Sequence, residues 1–214
     1  MKLLQDLCEH LHDININWYL CGGFAIDVYL GKSTRNHKDL DITIRFEDMI
    51  GCIEYLKARG WEIDAPIGGK RVVPVEYALA HNELYFDNIW CYKKDASFIK
   101  VERTDGVFKY VEFSRRKQIE LDFLEVLFNR IDKGTFYYKR DPMIKRDTDK
   151  AFIKKDGISI LAPELVLLYK SKNYQDDDNQ HDFHIVIDKM EKERYDWFMN
   201  AMRTAYPEGH LWIR

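Results

Sequence analysis

Residues Tyr19–Ile44 run YLCGGFAIDVYLGKSTRNHKDLDITI and constrain the chain more than any other segment. Trp18 to Cys21 is a short apolar run suited to a buried strand. It ends at Gly22-Gly23, and Phe24 to Leu30 continues as a helix that Gly31 stops. Glycines at such a junction let a phosphate approach the backbone, and the helix N-terminus offers it N–H groups and partial positive charge. The same pattern also serves as an ordinary tight connection. Further on, Asp39 to Arg45 alternates polar and apolar, the period of a half-buried strand. Asp39 and Asp41 then point the same way, roughly 7 Å apart along the strand. Two such carboxylates repel unless something compensates them. A divalent cation with oxygen ligands, such as Mg²⁺, would do so, while keeping other positions for water and phosphates. Taken alone, the pair also suits the polar face of an edge strand.

Around this segment the pattern alternates between helix and strand. Leu3, Leu4, Leu7 and Leu11 mark one face of an N-terminal helix, and Glu47 to Arg59 forms a second amphipathic helix closed by Gly60. The middle predicts strands at Arg71–Ala80, Leu84–Tyr92, Ser97–Glu102, Val107–Phe113 and Gln118–Val126, then a hairpin turning at Asp132-Lys133-Gly134. The last third predicts helices starting at Pro163 and spanning Asp176–Met190 and Lys192–Tyr206. This order predicts an α+β catalytic domain over residues 1–145 and a helical C-terminal domain over 146–214, sharing one core.

Composition narrows the function. The 214 residues are 46% hydrophobic and 32% charged, which excludes a disordered or collagen-like chain. The formal charge of -3 argues against a general nucleic-acid binder, which carries a basic field. No apolar window approaches the ~18 residues of a membrane helix. Cys8, Cys21, Cys52 and Cys91 are widely spaced, as expected of reduced thiols, and the cytoplasm is the expected compartment.

Read together, the Gly-Gly turn, the short helix, the basic loop (Lys32, Arg35, His37, Lys38) and the D-x-D strand form one arrangement. Part of it holds phosphates and part holds metal. It resembles the nucleotidyltransferase superfamily that includes polymerase β, and within it the small aminoglycoside and lincosamide nucleotidyltransferases. The residues that carry the resemblance are Gly22-Gly23-Phe24-Ala25-Ile26-Asp27, Leu30-Gly31, Thr34-Arg35, His37 and Asp39-Leu40-Asp41. Fifteen residues separate Gly23 from Asp39, a spacing that fits the drug-modifying branch. Leu121–Arg130, Tyr138–Pro142, Leu161–Lys172 and Ala205–Trp212 look like its later blocks, whereas Asp64–Arg116 has no counterpart we could place.

The resemblance implies a polymerase β-like mixed sheet flanked by helices. It also implies an enzyme that moves a nucleoside monophosphate from a nucleoside triphosphate, ATP for an adenylyltransferase, to a hydroxyl of a small molecule. Two Mg²⁺ ions would be held by three carboxylates: Asp39, Asp41 and a third from a neighbouring strand. Asp122 is the candidate for the third, with Glu120 and Asp87 as alternatives. Gly22, Gly23, Arg35, His37 and Lys170 would meet the triphosphate. A relative that modifies a protein or RNA partner, and a non-catalytic nucleotide-binding relative, are the other readings. Both glycines and both aspartates are intact, which favours turnover.

Overall fold

The computed structural model describes residues 2–81, 86–114 and 118–213. In chain order the elements are α1 (Lys2–His10), β1 (Trp18–Leu20), α2 (Gly22–Leu30), β2 (Asp41–Arg45), α3 (Met49–Ala58), β3 (Glu62–Pro66), β4 (Arg71–Pro74) and α4 (Val75–Ala80). There follow β5 (Asn88–Tyr92), β6 (Ile99–Asp105), β7 (Phe108–Phe113), β8 (Phe123–Asp132), β9 (Thr135–Tyr137) and β10 (Lys145–Asp147). The chain ends with α5 (Thr148–Ala151), β11 (Phe152–Lys155), β12 (Ile158–Leu161), α6 (Pro163–Lys170), α7 (Asp177–Val186) and α8 (Lys192–Ala205). Contacts divide it into two compact units, residues 1–18 with 35–128, and residues 19–34 with 129–214. Both are discontinuous in sequence, unlike the single boundary at residue 145 that the composition suggested.

The first unit is built on a mixed sheet in the order β2-β8-β5-β3-β4-β7-β6. Strand β5 lies antiparallel to β8 on one side, with Trp90 opposite Glu125, and to β3 on the other, with Trp90 opposite Asp64. Apolar residues of α1 and α3 (Leu7, Cys52 and Leu56) are fully buried. A second cluster joins Val72, Tyr92, Phe98, Ile99, Val111 and Phe123, with Trp90 and Phe113 packed against it. Within β3 the buried Asp64 accepts from Lys109 Nζ at 3.0 Å and from the Tyr92 hydroxyl. Its charge is therefore paired, as burial requires.

Three strand expectations change here. The run Arg71–Ala80 stays extended only to Pro74, then turns helical. Proline has no N–H to continue the ladder, and its fixed φ suits the approach to a first helical turn. The run Gln118–Val126 becomes strand only at Phe123, because Gln118 is occupied otherwise: its N–H donates to Lys38 O at 3.0 Å and its Nε2 to Phe123 O at 2.7 Å. The start of Leu84–Tyr92 lies outside the described residues, and the strand there spans Asn88–Tyr92.

The second unit explains why Tyr19–Thr34 groups with the C-terminal residues. Strand β12 runs parallel to β1, with Leu20 opposite Ile160. Helix α2 packs on β12, α6 and α7. Ile26, Leu165, Leu168, Val186, Phe198 and Met202 are fully buried, and Phe183 stacks on Trp212 with centroids 4.4 Å apart. Strands β11 and β12 form a hairpin whose turn residues, Asp156 and Gly157, both take positive φ (50° and 83°). That is the backbone of a tight two-residue hairpin turn. Glu164, with no exposed surface, accepts from Arg146 Nη2 at 2.7 Å and from Arg194 Nη1 at 2.6 Å.

Candidate active site

The pleat of β2 sorts its residues by parity. Leu40, Ile42 and Ile44 are buried. Asp41 and Thr43 have the other parity, and Thr43 Oγ1 donates to Leu127 O at 3.1 Å, whereas Asp39 stands in a bend two residues before the strand, which begins at Asp41 and not at Asp39. The neighbouring strand is fixed in register by the Glu125 N–H, which donates to Leu40 O at 3.1 Å. That bond brings Glu125 beside the Asp39–Asp41 segment. On its other side Glu125 meets β5, where its Oε1 accepts from Trp90 Nε1 at 3.3 Å and from Asn88 Nδ2.

The Glu125 carboxyl is pushed up to about 7, first by its withdrawal from water and second by the negative charge of Asp39. The hydrogen bonds from Trp90 and Asn88 pull the other way and do not overcome these causes. Asp39 and Glu125 thus form a carboxylate pair under mutual repulsion, and Asp41 follows two residues later at the start of β2. This donor set fits a hard divalent cation. All three groups offer oxygen, and a cation would relieve both the repulsion and the burial cost. Among the described residues no group of three or more His, Cys, Asp or Glu side chains stands where it could hold a metal ion. Mg²⁺ needs no such group, since one or two carboxylates with water and phosphate oxygens suffice.

Asp122 is placed differently. It precedes β8, and its Oδ2 accepts from Ser97 N–H at 2.6 Å and Ser97 Oγ at 2.8 Å. Its backbone oxygen accepts from Lys93 N–H at 2.9 Å. The side chain therefore ties down the segment between β5 and β6. Glu120 sits in an exposed bend before β8. Asp87 stands just before β5, and its backbone oxygen accepts from Phe128 N–H at 3.0 Å. Glu125 and Asn88 were not singled out from the sequence. A visible signal existed for Glu125: it is the only charged residue in the apolar run Phe123–Phe128.

On the segment leading into β2, His37 is buried and Arg35 is half-buried. Gly22, Gly23 and Lys170 belong to the other unit. Gly22 adopts φ of 64° at the start of α2, a conformation that favours glycine, so this junction needs a residue without a side chain. Lys170 Nζ lies 3.0 Å from Asp182 Oδ2 and donates to Asn179 Oδ1 at 2.8 Å. Asp182 has no exposed surface, so this ion pair neutralises a buried charge.

Residues 3–139 match the family model described as Aminoglycoside-2''-adenylyltransferase. The chain belongs to that family. A lincosamide resistance protein of Staphylococcus haemolyticus is 30% identical over 80 residues, 37% of this chain. The match spans 45% of that relative's length. Among solved structures, the antibiotic-resistance factor ANT(2'')-Ia superposes with a TM-score of 0.55 at 12% identity, over 97% of this chain and 92% of that one. The lincosamide antibiotic adenylyltransferase LnuA, solved with lincomycin bound, gives 0.51 at 15% identity, over 85% of this chain and 92% of that one. At these identities the likeness shows the fold. The adenylyltransferase family and these superpositions bear out the nucleotidyltransferase-like mixed sheet with flanking helices. Among the described residues of this family member, no helix is long and apolar enough to cross a membrane.

Proposed function

We propose that the chain is a Mg²⁺-dependent adenylyltransferase. It moves a nucleoside monophosphate, AMP from ATP, to a hydroxyl of a small aminoglycoside- or lincosamide-like acceptor and releases pyrophosphate. The observation that carries this reading is the carboxylate Glu125, set beside the Asp39–Asp41 segment on the adjacent strand and raised first by burial and then by the charge of Asp39. Family membership supports the adenylyl donor and the class of acceptor. An acceptor of the aminoglycoside type is a polycation, and a chain of net charge -3 with clustered carboxylates suits it.

Asp39, Asp41 and Glu125 would hold the metal, and we assign Glu125 the third position in place of Asp122. When bound, a pair of Mg²⁺ ions supplies Lewis acidity to the phosphoryl oxygens of an in-line displacement. In the reaction the acceptor oxygen forms a bond to the α-phosphorus, and the bond from that phosphorus to the pyrophosphate oxygen breaks. The hydroxyl proton goes to Glu125. Trp90 and Asn88 both donate to Oε1, which leaves Oε2 as the oxygen that receives it. A carboxyl poised near 7 suits a general base at neutral pH. Arg35 and His37 lead directly into the metal strand and would neutralise phosphate charge. Gly22-Gly23, at the start of α2, would let phosphate oxygens approach the backbone. Lys170 has three N–H donors, two of them directed at Asp182 and Asn179, and offers the third to a phosphate. A cytoplasmic enzyme would have its ATP donor at hand.

The test is direct. Purified protein is incubated with Mg²⁺, each of ATP, GTP, CTP and UTP, and a panel of aminoglycosides and lincosamides. Pyrophosphate release and the mass of the acceptor are read. Transfer with ATP that disappears in Asp39→Asn/Asp41→Asn supports the reading. Folded protein that modifies no acceptor and binds no nucleotide overturns it.

A further inference from the structure

The second unit contains a basin of about 780 Å³ that the proposed reaction does not use. It is bounded by the last turn of α2, the loop after it, the β11–β12 hairpin, α7 and the residues that follow α7. It lies at the end of α2 opposite Gly22. A nine-residue helix spans roughly 13 Å, so this is not the glycine junction.

Three lysines from three different elements face this basin: Lys32, Lys155 and Lys189. A single acidic residue, Glu191, lines it with them. Among the described residues none of the three lysines has an ion-pair partner. Their backbones are nevertheless held in place. Asp27 pins the loop of Lys32: its backbone oxygen accepts from Lys32 N–H at 3.1 Å, and its Oδ1 accepts from Thr34 N–H at 3.0 Å and Thr34 Oγ1 at 2.5 Å. Lys155 immediately precedes the tight Asp156-Gly157 turn and pairs with Ile158 across the hairpin. The Tyr29 hydroxyl donates to Lys189 O at 3.3 Å.

Two further features point to a ligand. His181 lines the basin, and its Nε2 is buried with no hydrogen-bond partner among the described residues. A buried polar atom left in that state is costly unless something else satisfies it. The rest of the wall is mixed: Tyr29, Leu30 and Ile185 are aromatic or apolar, and Ser33 and Thr34 are polar. The volume falls in the range of small-molecule sites.

We infer that this basin binds a phosphate-bearing organic anion of nucleotide size. The phosphate would be held by Lys32, Lys155 and Lys189, and the organic part would lie against Tyr29 and Ile185, beside the His181 ring. Preorganised cations with few counter-charges select phosphate, and the apolar wall selects an organic ester over the bare ion. The inference does not depend on the proposed reaction.

The experiment uses the whole chain in EDTA, which disables a metal-dependent site. Adenosine monophosphate and, separately, inorganic phosphate are titrated by calorimetry, and the ring resonances of ¹⁵N-histidine-labelled protein are followed. Adenosine monophosphate should bind, shift the His181 resonances, and lose at least about tenfold in affinity in Lys32→Ala/Lys155→Ala/Lys189→Ala. All three lysines are exposed, so this variant should fold as the wild type does, which circular dichroism checks. Affinity in Asp39→Asn/Asp41→Asn should stay unchanged. No binding by either ligand overturns the inference, as does binding that survives the lysine variant or vanishes in the aspartate variant. Inorganic phosphate binding as tightly as adenosine monophosphate also overturns it, since the apolar wall would then contribute nothing. Adenylyl transfer is assayed independently, so either reading can fail without the other.

Discussion

Each unit withdraws a glutamate from water, and the two are treated in opposite ways. In the unit that carries the C-terminal helices, Glu164 is fully buried and receives two guanidinium groups, from Arg146 and Arg194. In the sheet unit, Glu125 receives only neutral donors, Trp90 and Asn88, and faces the charge of Asp39. A compensated buried charge holds structure together. An uncompensated one costs stability and persists where a ligand or a reaction completes it. The contrast supports the proposal that the chemistry lies in the sheet unit.

The sharpest way to break the contrast is to neutralise the carboxylates on β2. Asp39→Asn/Asp41→Asn should lower adenylyl transfer by about a thousandfold or more, because it removes the oxygens that would hold the cation. Its melting temperature should hold or rise, since the repulsion on Glu125 is relieved. A variant that loses stability along with activity would mean that these aspartates are structural. Glu125→Gln should lower kcat by roughly a hundredfold to ten-thousandfold, again with stability held or raised. Retained turnover would remove Glu125 from the site.

Glu164→Gln should do the reverse. It leaves two arginines without their shared partner, and urea unfolding should show a loss of about 3–5 kcal/mol. Folded protein should keep the wild-type kcat. Asp122→Asn should be milder, costing about 1–2 kcal/mol through its bonds to Ser97, with kcat little changed. A collapse of kcat here, with Glu125→Gln active, would restore Asp122 to the metal site.

The smallest effect concerns pH. Glu193 is held down to about 2, chiefly by its hydrogen bonds from Arg146 and further by the charges of Arg146 and Lys150. A depressed carboxyl stabilises the fold fully above its ordinary value of 4.5, and that contribution is lost as pH falls through about 2. Wild type should therefore lose stability between these values faster than Glu193→Gln. The difference should be small, because Glu193 is half exposed and solvent screens it. Parallel pH profiles for the two proteins would remove Glu193 from the network.

The sequence was enough to place the Gly22 junction, to end α2 at Gly31, and to put Asp41 on a strand, although that strand begins at Asp41 and not at Asp39. Each of these depends on short-range rules. Positive φ selects glycine, and the pleat fixes the parity of residues two apart. Asp27 tethers the loop after α2 through Thr34, whose N–H and Oγ1 both donate to its Oδ1.

The proposed third carboxylate, Glu125, was not accessible by such rules. Alternation from Gln118 made Asp122 look paired with the metal strand, but the chain is not extended there. Its hydrogen bonds go to Lys38 and Ser97, and β8 begins only at Phe123. What joins Glu125 to the Asp39–Asp41 segment is a backbone bond to Leu40, between residues far apart in the chain. The grouping of Tyr19–Thr34 with the C-terminal residues has the same origin: α2 finds its apolar partners on α6, α7 and β12. Local chemistry names the residues able to act. Strand register and helix packing, set by contacts that no short window contains, choose which of them meet.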